Sequence, residues 1–525
     1  QSAPVRTEKQ SLVPLTDAYV MDVSAPSTYV PEGPPEIAPD EIHCLEVIGS
    51  GSFGKVVRGK CRGKEVAIKI LHKPVTFSDQ KTRDAFQKEV AIMSKIYHPN
   101  IVLFLGACAI PGQSFIVSEY LPNGDLEKLL HNKSVELSMF SRMRMAKDAA
   151  LGMNWLHCSH PQFIHRDLKS SNLLVDENGR VKVCDFGLSQ IKQQGEYIKD
   201  MDSAKGTPLW MAPEVMQFKE FNEKCDVYSF GIVLWEIATR QEPFRHHQKF
   251  EEFRTAVCKY HERPVIPDYL DPALADLIRR CWVHVPAERP SFDTINKELD
   301  KILVYVAVKI SWAREFWISH WPSLLDVTWA TFAKALMSDL GLPPFDLGLL
   351  DLPSDDQVII GFKCLKALMA EKGAIPNPEL SVQLVNFGRI LGYFADVYTD
   401  KSNFITNIIE FLRQPWFYGN LSTHESQERL FTKPTGTFLV RFSSVAEQSW
   451  FTLSQVQENQ SIRHQRVKHA PGGTYYINDG EEFNTLQELL DAKGYKLTVA
   501  PGGSKYHSIF SQYGNSPEHG YVGSS

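Results

Sequence analysis

Apolar and polar positions change their rhythm several times along the chain. From Glu41 onward, short Val/Ile-rich runs punctuated by glycine predict strands. From about residue 137 the spacing turns to threes and fours. Within Leu137–His157, Met139, Met143, Ala146, Ala150 and Met153 recur on one helical face. The methionines read as core packing in preference to a cofactor box. Between about 300 and 412 the period is helical again: Trp329, Phe332, Ala333 and Leu336 share one face, as do Leu384, Phe387, Gly388 and Leu391. Leu342–Pro353, with its prolines and glycine, predicts a loop between these helices. After Trp416, Gly436–Phe442 and Ile462–Val467 predict strands and Thr485–Ala492 a short helix. No internal repeat is found.

Composition adds the limits. At roughly 150 residues per domain, 525 residues imply about three to four units. With 43% hydrophobic and 22% charged residues, most of the chain is able to bury cores. Residues 1–40 are the exception: seven prolines and few large apolar groups predict a disordered tail, and a second flexible tail is predicted over 506–525. A net charge of -6 without a long basic run argues against nucleic acid as a partner. The nine cysteines lack any Cys-x-x-Cys pair, which fits a reduced cytosolic setting. Ile302–Val308 stops at Lys309, far short of the ~20 apolar residues that cross a bilayer. The first segment, which opens at Gln1, lacks the apolar core of a secretory signal.

The candidate chemistry is phosphate handling. Gly49-Ser50-Gly51-Ser52-Phe53-Gly54 and then Val56 spell G-x-G-x-x-G-x-V between two predicted strands. Val66-Ala67-Ile68-Lys69 places a lysine inside an apolar strand, where a cation is costly unless paired; Glu89, in a helical stretch, is the candidate partner. His165-Arg166-Asp167-Leu168-Lys169-Ser170-Ser171-Asn172 and Asp185-Phe186-Gly187 add two carboxylates and an amide, and Met211-Ala212-Pro213-Glu214 closes the set.

In this order the five elements resemble the protein-kinase signature, over about 42–300, with Cys281-Trp282 and Arg289-Pro290 near its end. The resemblance implies a bilobal kinase fold with ATP and Mg²⁺ as cofactors. It implies that Ile48, Gly49, Ser50, Gly51, Ser52, Phe53, Gly54, Lys55, Val56, Ala67, Ser118, Glu119 and Leu121 line the nucleotide. Lys69, held by Glu89, would bind the α and β phosphates, and Asn172 and Asp185 would hold Mg²⁺. Asp167 would accept the substrate hydroxyl proton and Lys169 would reach the γ-phosphate. Glu214 with Arg289 and Asp226 read as structural anchors, and Cys184 as a small buried hydrophobe. His-Arg-Asp-Leu-Lys-Ser-Ser-Asn and Gly206-Thr207-Pro208 look like a Ser/Thr enzyme. Asp226-Val227-Tyr228-Ser229-Phe230-Gly231 and Cys281-Trp282 look like the tyrosine-kinase-like branch, which implies dual specificity. Tyr197, Ser203 and Thr207 are candidate activating phosphosites.

Trp416-Phe417-Tyr418-Gly419 and Gly436-Thr437-Phe438-Leu439-Val440-Arg441-Phe442-Ser443-Ser444 resemble the Src-homology-2 (SH2) module. Ile462-Arg463-His464-Gln465-Arg466-Val467 and Phe483–Leu490 follow in the order that family requires. The resemblance implies a central antiparallel sheet flanked by two helices and a phosphotyrosine pocket. Arg441 would grip the phosphate bidentately, Ser443 and Ser444 would lie in the phosphate loop, and His464 and Arg466 would line the phenol side. An arginine common early in the first helix of that family is Thr423 here, with His424 or Lys433 as possible substitutes. The wording around Lys433–Ser443 is also similar to STAT proteins, which suggests a linker role for 301–412.

The expected fold class is thus multidomain α+β: a kinase domain at 42–300, a helical linker region at 301–412 and an SH2 domain at 416–505. As a whole the chain is similar to the social-amoeba SHK family of SH2-bearing dual-specificity kinases. The expected partners are protein substrates and phosphotyrosine proteins, and the expected location is cytoplasmic with peripheral membrane recruitment. Two competing readings are a pseudokinase scaffold and a STAT-like transcription factor. Lys69, Asp167, Asn172 and Asp185 argue against the first, and the lack of a basic stripe argues against the second.

Overall fold

The computed structural model describes residues 34–51, 54–71, 80–110, 113–192, 197–198, 207–372, 379–394, 403–443, 451–470, 474–478, 480–492 and 506–510. Two compact units emerge: the described residues up to Tyr97 together with Val102–Tyr120, and His98–Ile101 together with everything from Leu121 on.

The first unit is built on a five-stranded antiparallel sheet of order β1-β2-β3-β5-β4. Its strands are β1 (Ile42–Gly51), β2 (Gly54–Cys61), β3 (Lys64–Leu71), β4 (Phe104–Cys108) and β5 (Phe115–Glu119). The period-two alternation of β3 decides which side chains are hidden. Val66 and Ile68 join Cys61, Cys108, Phe115 and Val117 in one core, whereas Ala67 and Lys69 fall on the opposite parity. Helix Gln80–Met93 of this unit buries Phe86, Val90 and Met93 at helical spacing and carries Glu89 beside them.

The tail predicted over 1–40 is not featureless at its end. Glu36 bridges Ala107, and Ile37 is 3% exposed within the sheet's core. Composition misled here because a single isoleucine is enough to dock a short extended segment when a matching notch exists. Gly106 supplies that notch, since a Cβ there would sit 2.8 Å from Pro35 O.

In the second unit, helix Met139–Cys158 starts where Ser138 caps it, accepting a hydrogen bond from Ser141 N–H. Met143, Ala146, Ala150 and Met153 are fully buried as their spacing predicts. Helix Lys224–Thr239 is buried on all sides from Cys225 onward, with Asp226 and Glu236 set among its apolar side chains. Helix Phe292–Ala307 runs continuously through position 300, where the sequence suggested a boundary.

Beyond it, the stretch from 301 to 412 is not purely helical. Asp326–Thr328, Leu380–Gln383 and Ala370–Lys372 form a three-stranded antiparallel sheet with Leu380–Gln383 in the middle. Strands of three or four residues are too short for alternation to register in the sequence. The predicted loop Leu342–Pro353 contains a 3₁₀ turn, Leu347–Asp351, started by Asp346 accepting from Gly348 N–H. Gly388 is where helix Leu384–Phe394 meets helix Phe292–Ala307; any Cβ there would collide with Ala307 O.

The last sheet runs in the order Phe438–Phe442, Phe451–Val456, Ile462–His469, Tyr475–Tyr476, with helices Thr423–Leu430 and Leu486–Ala492. One hydrophobic core joins Val304 and Val308, then Trp317, Phe332, Phe387 and Phe404, to Phe417, Phe438, Val440 and Leu489 of this last region. The segment expected as a flexible tail from 506 begins inside that core. Tyr506 is fully buried and stacked on Phe417 at 6.1 Å, and its ring occupies the space a Cβ on Gly419 would need. One well-placed aromatic anchors its neighbours although average composition predicts otherwise. Among the described residues no helix is long and apolar enough to cross a membrane.

Candidate functional site

In the first unit, the glycine-rich hairpin keeps strand pairing up to its tip: Gly49 faces Val56, Ser50 faces Lys55 and Gly51 faces Gly54. A bulge leaves Ile48 out of register and 38% exposed. Gly54 admits no side chain, because a Cβ would strike the Ile70 carbonyl. Ser52 and Phe53 at the tip lie outside the described residues. On β3, Lys69 Nζ donates to Glu89 Oε1 at 2.7 Å, so the pair expected from twenty residues' separation forms. Ala67 pairs across the sheet with Ser118. Glu119 exchanges two bonds with Leu103: its N–H donates to Leu103 O at 3.0 Å, and its Oε1 accepts from Leu103 N–H at 2.7 Å. Leu121, which opens the second unit, is buried.

The second unit collects the remaining expected groups. Asp167 Oδ1 accepts from both the N–H and the hydroxyl of Thr207, at 2.8 and 3.0 Å. Oδ2 accepts from Asn172 Nδ2 at 3.0 Å and pairs with Lys169 Nζ at 3.0 Å. Lys169 also donates to Thr207 Oγ1 at 2.6 Å. Asn172 is held a second time, its Nδ2 donating to Asp167 O at 2.7 Å. Asp185 is brought next to Asn172 through the main chain, because Cys184 N–H donates to Asn172 O at 3.0 Å. Arg166 and Asp185 both adopt positive φ, 70° and 63°, backbone that non-glycine residues rarely take.

What holds Arg166 in that strained backbone is buried below it. Asp226, fully buried, accepts from His165 N–H (2.9 Å), Arg166 N–H (2.8 Å) and His157 Nε2 (2.8 Å). Burial pushes its carboxyl up, but the His157 contact and the backbone donor outweigh that and hold it below the ordinary value. Glu214 and Arg289 form a bidentate pair at 2.7 and 2.9 Å. Arg289 is fully buried and also donates to Val283, Lys224 and His284 carbonyls, the geometry of a structural tie. Thr207, a candidate phosphosite in the sequence, has its hydroxyl committed to Asp167 and Lys169. Ser203 lies outside the described residues, and Tyr197 is 65% exposed.

In the last region, Arg441 faces Thr452, which faces Arg466, across three neighbouring strands; Ser454 faces His464 two residues along. Period-two geometry therefore puts Arg441, Thr452, Ser454, His464 and Arg466 on one face. Arg441 is 3% exposed. Its Nη2 donates to Thr423 Oγ1 at 3.0 Å, so Thr423, in place of a second arginine, acts as an acceptor and adds no positive charge. Its Nη1 reaches the Leu421 and Phe442 carbonyls at 3.2 and 3.3 Å, long for charged donors. His464 Nδ1 contacts Ser454 Oγ at 2.8 Å. Arg441 Nε and His464 Nε2 are buried and have no hydrogen-bond partner among the described residues. Burial, then the charge of Arg441, lowers the His464 pKa. Ser443 is buried, and Ser444 lies outside the described residues. His424 points elsewhere, 3.5 Å from Glu428 and largely exposed.

Two family models match the chain. The family model "Protein tyrosine and serine/threonine kinase" matches residues 42–299, and the SH2 domain model matches 416–492. "Dual specificity protein kinase shkC" of Dictyostelium discoideum is 50% identical over 480 residues, covering 90% of this chain and 93% of that protein. The chain belongs to the shk family of protein kinases. "Dual specificity protein kinase shkA" of the same organism is 46% identical, over 89% of each chain. "Probable serine/threonine-protein kinase SIS8" of Arabidopsis thaliana is 47% identical over 51% of this chain and 25% of its own length. As an shk kinase the chain is an ATP-dependent protein phosphotransferase with an SH2 domain that binds phosphotyrosine proteins.

One residue of this shk kinase escaped the sequence reading. Glu236 is fully buried, accepting from Ser170 Oγ at 2.9 Å and from Trp210 Nε1 at 2.8 Å. It ties the Asp167 loop to the Thr207 segment. The available signal was a lone acid within the apolar run Ile232-Val233-Leu234-Trp235-Glu236-Ile237. Burial, against the two hydrogen bonds, pushes its pKa up to about 8. The folded state therefore keeps this proton where the unfolded chain has lost it. The resulting stabilisation is full below the ordinary glutamate value of about 4.3 and disappears as pH rises through about 8. We expect the urea midpoint of the wild type to fall across that window, and Glu236→Gln, which cannot ionise, to flatten the fall. Parallel wild-type and variant profiles would show that Glu236 is not the titrating group.

Proposed function

We propose that this kinase phosphorylates Ser and Thr as well as Tyr hydroxyls of proteins, and that its SH2 domain brings it to phosphotyrosine partners. The observation that carries the reading is the Asp167 carboxylate, oriented at once by Asn172, Lys169 and both donors of Thr207. Asp167 takes the hydroxyl proton, and Lys169 offsets charge developing on the γ-phosphate. Lys69, steadied by Glu89, binds the α and β phosphates, and the residues from Ile48 to Val56 with Ala67, Ser118, Glu119 and Leu121 line the nucleotide.

Mg²⁺ is the metal we assign to Asn172 and Asp185. The donors fit it. Both offer oxygen, and Asn172 spends its NH₂ on Asp167, which leaves its carbonyl oxygen directed the other way. When bound, the ion neutralises phosphate charge.

The division 42–300, 301–412 and 416–505, with an N-terminal tail, is our proposed layout, and the cytoplasm with peripheral recruitment is our proposed location. Dual specificity is named for the Dictyostelium relatives. A peptide array with Ser, Thr and Tyr acceptors tests it here. We expect transfer to all three, abolished by Lys69→Met and by Mg²⁺ chelation. Transfer to only one class of hydroxyl, with a silent Lys69→Met control, would refute dual specificity while leaving the kinase assignment in place.

A further inference from the structure

Away from both sites, one set of three metal-capable side chains converges among the described residues: His246, His247 and Glu262. His246 Nε2 and His247 Nε2 lie 2.8 and 3.0 Å from the same Glu262 Oε1, and all three donor atoms lie within 4.8 Å of one another. The two histidines sit on the segment entering helix Phe250–Lys259, and Glu262 on the segment leaving it. The cluster therefore closes the loop that this helix spans.

Two of the three groups are already held in place. The His247 side chain, only 14% exposed, lies against Phe244 and Phe253 with ring centroids at 6.4 and 5.9 Å, and the His247 backbone N–H donates to Phe244 O. The Glu262 backbone is fixed on both sides: its N–H donates to Ala256 O at 3.0 Å, and its carbonyl accepts from Arg263 Nη1 at 2.7 Å. His246, its ring tilted against that of His247 at 4.2 Å, is the exposed member and the one able to swing onto an ion.

We propose that His246, His247 and Glu262 form a zinc site that staples the two ends of helix Phe250–Lys259. Two imidazole nitrogens and one carboxylate oxygen, with water in the remaining position, suit Zn²⁺; Mg²⁺ and Ca²⁺ favour sets made of oxygen. Zinc bonds of about 2.0–2.2 Å at tetrahedral angles put neighbouring donor atoms about 3.3 Å apart. The observed 2.8 and 3.0 Å need only small side-chain adjustments to reach that spacing. Without metal, both Nε2–H groups donate to one oxygen. With metal, the Nε2 lone pairs turn inward and each neutral ring carries its proton on Nδ1. The stapled helix buries Phe253, Ala256 and Val257, and its Cys258 Sγ contacts Pro213 O at 3.7 Å, so the ion would brace the element beside Glu214.

The test uses the full chain, stripped with a chelator and titrated with Zn²⁺ against a chromogenic competitor at neutral pH in excess Mg²⁺. The expected result is one tight zinc per chain and a zinc-dependent rise in melting temperature. Both are lost in His246→Ala and in Glu262→Gln, with affinity falling at least about tenfold, the low end of what removing even an outer-shell partner costs. The His246 side chain is 63% exposed, and glutamine retains an acceptor for the histidines, so metal-free melting temperatures should match wild type. Absence of stoichiometric zinc in the wild type, or undiminished zinc in either variant, overturns the proposal.

Discussion

Asp167→Asn is expected to lower kcat for peptide phosphorylation by about 10²- to 10⁴-fold, the range for loss of a positioned general base, and to leave the KM for ATP close to wild type. The substitution keeps the size and shape of the group, so the loop should stay folded. It removes the basic oxygen that takes the substrate proton. It also turns an NH₂ toward donors on one side, either the Thr207 amide and hydroxyl or the Asn172 amide and Lys169 ammonium. A conservative change thus strikes both proton transfer and the orientation of Lys169. Steady-state kinetics on the purified full chain, with a melting curve as the folding control, decide the matter. A kcat near wild type would remove Asp167 from the chemistry.

The second large effect belongs to the other end of the chain. Arg441→Leu is expected to weaken phosphotyrosine-peptide binding by about 10²-fold or more, since each hydrogen bond to a charged group contributes about 1.5–3 kcal/mol and a guanidinium makes two to a phosphate. Arg441 is well placed for such an exchange. Its present partners are a hydroxyl and two carbonyls at 3.0–3.3 Å, and its Nε has none among the described residues. A phosphate offers a better acceptor to donors that are already desolvated. With Thr423 uncharged in the neighbouring position, Arg441 carries more of the binding than it would beside a second arginine. Fluorescence anisotropy with a labelled phosphopeptide measures the loss. Catalysis on a short unphosphorylated peptide should be spared, and binding equal to wild type would dissolve the pocket assignment.

Much of this was legible in residue order. Lys69 and Glu89, Asp167 and Asn172, and Glu214 and Arg289 meet as their motifs imply, because each motif is short, rich in polar groups and set in an apolar frame that restricts where a charge can go. The face shared by Arg441, His464 and Arg466 is the one the SH2 resemblance implied: parity aligns His464 with Arg466, and the strand register adds Arg441. What stayed hidden depends on partners distant in sequence. The Glu236 contacts join residues 66 and 26 positions away. Thr207 looked like a free hydroxyl until the fold set it on Asp167. The small sheet inside 301–412 and the anchoring of Ile37 and Tyr506 rest on segments of a few residues, below the length at which periodicity or composition says anything.

Phe411, at the end of helix Phe404–Leu412, packs its ring on Trp416, Phe417 and Phe451, with centroids 4.7–5.5 Å away. It thereby sews the phosphotyrosine reader to what precedes it. A cut just before Trp416 would expose apolar surface on both halves, so genetic shuffling should favour moving the reader together with its neighbour, as one heritable block.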